Sequence, residues 1–144
     1  MRIFLSPSNQ PHNKYVVGNT NEKEQMEFVA KLVAQELNNY DCTYKMATLS
    51  YPISLRYDEA KGCDVYLAIH SNAGSPTARG AVAFYHPDSS VSKGLASNLV
   101  KELNAISKYG SNRYSQLQNG MTGYQGTKPF GEINQPWKRH RIPP

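Results

Sequence analysis

The alternation of apolar and polar positions divides the first part of the chain into short elements. Arg2–Ser6 is a mainly apolar run that Pro7 ends, which predicts a buried strand, and the polar stretch at 8–20 predicts a long loop. From Asn21 onward, apolar residues recur every three or four positions, and two glutamates stand in the first turn. We therefore expect an amphipathic helix over Glu22–Asn38.

Later segments alternate between strand and helix patterns. The nearly continuous apolar run Asp64–Ile69 is typical of a central strand that is covered on both faces. The order β, α, β, α, β, β, α predicts one α/β domain over 1–144, with an open, mostly parallel sheet flanked by helices. The other predicted elements are strands at Thr43–Leu49 and Gly80–Tyr85, a short helix at Ile53–Lys61 that Gly62 ends, and a long helix through Leu95, Leu99, Val100, Leu103 and Ile106.

The final segment, 110–144, has little periodicity and is punctuated by glycines, which predicts a loop-rich tail. It ends at Ile142-Pro143-Pro144, so we expect neither a helix nor a strand to close the domain. The glycines are Gly110, Gly120, Gly123, Gly126 and Gly131.

Composition narrows the class of protein. A content of 39% hydrophobic and 19% charged residues in 144 positions excludes disorder for most of the chain and fits one folded domain. No apolar run approaches the roughly 18 residues of a membrane span, so we expect no membrane insertion. The apolar start before Ser6-Pro7 is too short for a secretory signal, which predicts synthesis in the cytoplasm.

Charge and cysteine content add two expectations. Lys and Arg number 16 against 11 Asp and Glu, and the net charge of +5 suits polyanions in general, either nucleic acid or a cell-wall polymer. Because the chain has no recognised nucleic-acid-binding motif, we expect no nucleic-acid partner. Cys42 and Cys63 have no further cysteine to form a disulfide framework or a zinc cluster, and we expect plain thiols.

Three side chains are predicted to meet at one edge of the sheet. His70 follows the most buried strand, His12 lies in the loop after the first strand, and Glu22 opens the first helix. Two imidazoles and a carboxylate around an open position are the ligands of catalytic zinc. The spacing fits no short metal motif, however, and a histidine alone in a loop, such as His86, is more often exposed and idle.

A resemblance to a known family joins these features. The segment Ala68-Ile69-His70-Ser71-Asn72-Ala73, followed by Arg79–Tyr85, together with the loop histidine and a helix that opens Asn-Glu-Lys, resembles the zinc-dependent N-acetylmuramoyl-L-alanine amidases. These enzymes are the catalytic domains of many bacterial autolysins and phage endolysins. The opening 5–13 is similar to a variant branch of the family. Typical members have Gly-His-Gly directly after the first strand, and this chain has a different sequence there.

The resemblance implies a ligand set and a reaction. His12, Glu22 and His70 would bind Zn²⁺, and Asn72 would shape the substrate site, although Asn72 also fits a simple turn cap. Glu24 competes with Glu22 for the ligand role, while Arg56 fits a structural ion pair. The implied reaction is hydrolysis of the amide between N-acetylmuramic acid and L-alanine in peptidoglycan, and we expect a monomer that acts on the wall after release or non-classical export.

The family pattern also contains a late glutamate on a further strand, which works with the zinc-bound water as general base and acid. The resemblance runs to Pro144 without reaching that strand, so we expect the C-terminal strand to be missing and a sheet edge to be exposed. Three interpretations stay open: a shortened amidase, a replacement by another residue, or an end that lies outside this sequence. Glu132 is the one acidic residue after Glu102, and it is either that substitute or a surface carboxylate. The alternative function is a silent amidase-like protein that binds zinc or cell wall.

Overall fold

The computed structural model describes residues 1–74, 77–108, 111, 117–122 and 128–144. In these ranges the chain forms five strands and four helices, which is a mixed α/β architecture. In chain order the elements are β1 (Arg2–Pro7), α1 (Glu22–Leu37), β2 (Thr43–Met46), α2 (Ile53–Glu59), β3 (Val65–Ile69), β4 (Ala83–Tyr85), α3 (Ser90–Ile106), β5 (Leu117–Asn119) and α4 (Gly131–His140).

The strands form two small parallel sheets instead of the single sheet that the sequence predicts. The first has the order β2-β1-β3, and β1 pairs with β3 from Ile3 opposite Val65 to Pro7 opposite Ile69. The second joins β4 to β5. All of these pairs are parallel, as expected, so the carboxyl ends of β1 and β3 lie at the same edge. The loop after β1 and the segment after β3 therefore begin side by side.

Helix α1 begins where its cap predicts. The Asn21 side chain accepts a hydrogen bond from the Glu24 amide at 3.0 Å, which satisfies one of the unpaired N–H groups of the first turn. Ala30 and Ala34 are the buried apolar residues of the helix, and their small side chains allow it to pack closely on the sheet. This packing fixes the first turn of α1, and with it Glu22, near the carboxyl edge of β1.

The main core lies between the β2-β1-β3 sheet and helix α2. Phe4 and Tyr66 pack with their ring centroids 5.2 Å apart, and Tyr57 of α2 lies against Tyr66 at 6.2 Å. Ile142, from the segment after α4, is 3% exposed in the same cluster. The C-terminal segment is therefore part of the core.

The prediction of a loop-rich tail is wrong for Leu117–Asn119, which form β5, and for Gly131–His140, which form α4. Gly131 and Pro136 argue against a helix at the sequence level, because glycine and proline are unfavourable inside helices. Tertiary contact outweighs this preference, since Ile133 and Pro136 are buried and Arg139 donates to Asp58 of α2 at 2.7 Å. The helix ends at His140, and the capping residue Arg141 has a left-handed conformation with φ of 57°.

Arg56 has a structural role, but its partners are not the carboxylate that an ion pair requires. Its guanidinium is fully buried and donates to three main-chain carbonyls, those of Pro7 at 2.6 Å, Leu49 at 3.1 Å and Tyr51 at 3.2 Å. No carboxylate within the described ranges forms an ion pair with it. Arg56 thus ties the end of β1 to the segment before α2.

Candidate functional site

His70 is the centre of the candidate site, directly after β3. Its Nδ1 lies 3.0 Å from Glu22 Oε1, although the two residues are 48 positions apart in sequence. Glu22 is buried at the start of α1, whereas the His70 side chain is 30% exposed. The structure therefore brings together two of the three predicted zinc ligands, one from a helix start and one from a strand end.

Glu132 of α4 reaches the other side of the same imidazole. Its Oε2 lies 2.7 Å from His70 Nε2, so His70 is held between two carboxylates. The second oxygen of Glu132, Oε1, accepts from the Ser6 hydroxyl at 2.9 Å and lies 3.1 Å from the Tyr66 hydroxyl. Glu132 therefore contacts His70 in the candidate site, and its role as a substitute for the late glutamate stays a prediction.

The two carboxylates determine the electrostatics of His70. Burial by itself would lower the pKa of His70, but the hydrogen bonds and negative charges of Glu132 and Glu22 outweigh it and raise the pKa above its ordinary value. When protonated, the ring donates through both nitrogens and satisfies both carboxylates. The site thus stabilises an imidazolium when no metal is bound.

The pKa of Glu22 is shifted in the opposite direction. Burial would raise the pKa of this carboxyl, but the hydrogen bonds of Asn13 and His70 and the positive charge of His70 outweigh burial and lower the pKa. The Asn13 amide donates to Glu22 Oε2 at 2.7 Å. Glu22 is therefore ionised at neutral pH and available either to a protonated histidine or to a cation.

The loop after β1 contributes the residues that flank His12. The Gln10 amide nitrogen lies 3.3 Å from His70 Nδ1, and Asn13 contacts Glu22 through its side chain. His12 itself is exposed, and its carbonyl accepts from the Lys14 amide at 3.0 Å. The loop thus places neighbours of His12 against the site, while His12 itself is exposed.

The donor set fits a zinc ion in part. Two ligands that each lie about 2.0 to 2.2 Å from a tetrahedral zinc ion are separated by about 3.3 to 3.6 Å. The 3.0 Å between Glu22 Oε1 and His70 Nδ1 would have to widen slightly to hold the ion. Within the described ranges, however, no group of three or more His, Cys, Asp or Glu side chains is arranged to hold a metal. Glu22 and His70 can supply two ligands, and a complete zinc site requires the His12 side chain to turn inward.

The other predicted residues have distinct positions. Asn72 lines the cavity next to His70, and Glu24 accepts from the Thr20 hydroxyl on the outer side of the first turn. His86 is buried against Trp137, with ring centroids 5.1 Å apart, and burial lowers its pKa. Cys42 and Cys63 are free thiols, as expected. Glu22 is therefore the better placed of the two first-turn glutamates.

Four residues of the site were missed by the sequence analysis: Ser6, Gln10, Asn13 and Tyr66. Tyr66 carried a usable signal, because a hydroxyl in an otherwise apolar central strand needs a polar partner. The others are short polar residues at a strand end or in a loop, where such residues are common. Their roles depend on how the loop folds back, which no local pattern predicts.

A large cavity adjoins the site. It has a volume of about 980 Å³, and its polar end contains Gln10, Asn13, Glu22, His70 and Glu132. The rest of its wall is mainly apolar and comes from β3, α1, α3 and the segment 81–84. The candidate site is therefore the polar end of a longer apolar cleft.

Comparison with known proteins adds no family. No family model, no curated protein and no solved structure matches the chain. None of the helices in the described ranges has the length and apolar character needed to cross a membrane.

Proposed function

We propose that this chain is a zinc-dependent hydrolase of the N-acetylmuramoyl-L-alanine amidase type, which acts on bacterial peptidoglycan. The observation that carries the proposal is the contact between Glu22 and His70 at the carboxyl edge of the sheet. The family resemblance implies that these two residues share a ligand, and nothing in the short-range sequence requires them to meet. Glu22 and His70, together with His12 from the adjacent loop, would hold the metal.

Each residue of the site has a separable role in this proposal. Zinc, when bound, would polarise the scissile carbonyl and lower the pKa of a bound water. Glu132 would be the catalytic base: Ser6 and Tyr66 hold one of its oxygens, and the other contacts His70 Nε2. Because Glu22 contacts the opposite nitrogen, Nδ1, this role requires the imidazole to turn when the metal binds. A carboxylate held on one side presents its second oxygen in a defined direction, which favours proton transfer. Asn72 would contact the substrate from the adjoining wall.

The raised pKa of His70 gives the proposal a pH dependence. A protonated imidazole cannot bind a metal, so zinc must displace a proton that the two carboxylates stabilise. We therefore expect zinc affinity to increase as the pH rises through the His70 titration.

Zinc binding and wall hydrolysis test the proposal together. We expect zinc-dependent release of soluble fragments and new amino termini from purified peptidoglycan, and abolition of this release by a chelator. His70→Ala should lose stoichiometric zinc, while His86→Ala, a matched histidine outside the site, should retain it. Equal zinc contents in these two variants would refute the assignment of the site.

Two separate substitutions, one at Glu132 and a control at Glu102, test the role of Glu132. Glu132→Gln should reduce hydrolysis by about 10²- to 10⁴-fold and leave zinc bound, whereas Glu102→Gln, at an exposed position on α3, should change little. Activity of Glu132→Gln equal to that of the wild type would exclude Glu132 as the base.

A second function is favoured by the exposed position of His12, which leaves the ligand set incomplete in the described ranges. In this alternative the chain binds zinc or cell wall without turnover. Sedimentation of the protein with peptidoglycan, without release of amino termini at high protein concentration and saturating zinc, would support binding over catalysis.

A further inference from the structure

Ser8 is a fully buried polar residue directly after β1. Its side chain is 0% exposed, and its hydroxyl forms no hydrogen bond within the part of the chain that the structure describes. The Ser8 amide donates to the Ile69 carbonyl at 2.9 Å, and continuation of the register beyond the pair of Pro7 and Ile69 places Ser8 opposite His70. The hydroxyl is therefore buried at the candidate site.

Ser6 shows what a buried hydroxyl at this strand end normally has. It is also 0% exposed, and its hydroxyl donates to Glu132 Oε1 at 2.9 Å and accepts from the Tyr66 hydroxyl at 2.9 Å. Most buried polar side chains have such partners, because a buried hydroxyl without a hydrogen bond lowers the stability of the fold. Alanine would occupy the place of Ser8 without this cost. The hydroxyl of Ser8 is useful only if a partner reaches it in another state of the site.

Glu22 is the group beside Ser8 that can accept this bond. Burial raises the pKa of the Glu22 carboxyl, and the polar neighbours that lower this pKa include the Ser8 hydroxyl, so the two side chains lie together. In the structure, Oε2 of Glu22 accepts from Asn13 at 2.7 Å, and Oε1 contacts His70 Nδ1 at 3.0 Å. A carboxylate has about four lone-pair positions, so Glu22 keeps the capacity to accept from a further donor.

We propose that Ser8 is a positioning residue for Glu22, whose carboxylate it holds by a hydrogen bond when Glu22 serves as a metal ligand. The inference rests on the proposed function, because it requires Glu22 and His70 to share an ion. Their 3.0 Å contact has to widen for this, and Glu22 then loses its hydrogen bond with His70. The Ser8 hydroxyl replaces that bond and fixes the direction of the carboxylate. Loss of such a hydrogen bond to a ligating side chain typically weakens metal binding by about 10- to 100-fold.

Ser8→Ala separates this role from a structural one, because the two roles predict different changes in stability. The substitution removes the hydroxyl without adding atoms, so the variant should fold. Zinc affinity is measured by competition with a chromophoric chelator, and stability is measured by urea unfolding of the full chain in EDTA. We expect the dissociation constant for zinc to rise by at least about tenfold. The urea midpoint in EDTA should equal or exceed that of the wild type, because no hydrogen bond is lost.

Ser92→Ala is the matched control, since Ser92 is equally buried but lies on α3, outside the site. Its hydroxyl accepts from the His86 amide at 3.1 Å and donates to the Pro144 carbonyl. Removal of both bonds should lower the urea midpoint and change the zinc dissociation constant by less than about twofold. The two variants should therefore show opposite patterns: Ser8→Ala loses zinc affinity but not stability, and Ser92→Ala loses stability but not zinc affinity.

Three results would overturn the proposal. Equal zinc affinities of Ser8→Ala and the wild type would exclude it and leave the zinc site itself in place. A fall in the EDTA midpoint of Ser8→Ala as large as that of Ser92→Ala would show that the hydroxyl already has a partner, such as a buried water. A wild-type chain that binds no zinc would exclude both this proposal and the proposed function.

Discussion

The buried guanidinium of Arg56 provides the sharpest test of how this fold is held together. Its three acceptors lie on two segments: Pro7 at the end of β1, and Leu49 and Tyr51 in the segment before α2. Replacement by methionine keeps most of the length and apolar volume of the side chain but removes every donor. The substitution Arg56→Met therefore isolates the hydrogen bonds from the packing.

The magnitude follows from how deeply each acceptor is buried. The bond to the Pro7 carbonyl is fully buried, and leaving that acceptor without a donor costs about 1 to 3 kcal/mol. The other two bonds are partly buried, and each contributes about 0.5 to 1.5 kcal/mol. Removal of a charge that has no ion-pair partner offsets part of this loss. We expect Arg56→Met to lower the free energy of unfolding by about 2 to 4 kcal/mol.

Urea unfolding measures this change, provided that the slope with denaturant is the same for both proteins. Arg139→Met is the matched control, because the guanidinium of Arg139 pairs at 2.7 Å with Asp58, whose side chain is 60% exposed. We expect the control to lose less than about 1 kcal/mol. An Arg56→Met variant that equals or exceeds the stability of the wild type would show that the cost of burying the charge dominates, and it would refute this reasoning.

Three further outcomes are expected. Because the pKa of His70 is raised in the folded state, protonated His70 stabilises the fold fully below its ordinary pKa of about 6.5. This stabilisation is lost as the pH rises through the raised pKa. The urea midpoint of the wild type should fall over this pH range, and that of His70→Gln should not. Gly120→Ala would place a Cβ 2.6 Å from the two Cγ atoms of Ile133 and should cost about 1 to 3 kcal/mol. In an Ile133→Ala background, which lacks both Cγ atoms, the same substitution should cost less, as a double-mutant cycle by thermal unfolding would measure. Tyr66→Phe removes a hydroxyl that lies 3.1 Å from Glu132 Oε1 and should lower the free energy of unfolding by about 1 to 2 kcal/mol in the same assay; unchanged stability would show that this contact is not stabilising.

The part of the fold that depends on local pattern was predictable. The periodic apolar positions of α1 and the uninterrupted run of β3 placed both elements within one or two residues of their observed bounds. The strand predicted over Thr43–Leu49 ends at Met46, and the one predicted over Gly80–Tyr85 begins at Ala83. Gly80, with φ of 101°, has a backbone conformation that does not fit a strand. Helix α4 was missed because its stability depends on packing against α2 and not on helix propensity.

The candidate site was predictable where the topology requires residues to meet. Parallel pairing of β1 and β3 puts the ends of both strands at one edge, and this geometry explains the contact between His70 and Glu22. Glu132 was identified only as the last acidic residue of the chain, because its position depends on a helix that the sequence conceals. The orientation of His12 depends on the loop conformation, which composition does not determine.

The hydrogen bond between Ser6 and Glu132 joins residues that are 126 positions apart. Contacts of such long sequence separation require the closure of a very large loop and tend to form late in folding. The pocket around the imidazole is therefore assembled only when α4 docks, and local detachment of this one helix would dismantle it while the three-stranded sheet persists. A ligand that contacts Glu132 would consequently stabilise the docked position of α4, and its apparent affinity would depend on the fraction of molecules in which α4 is docked.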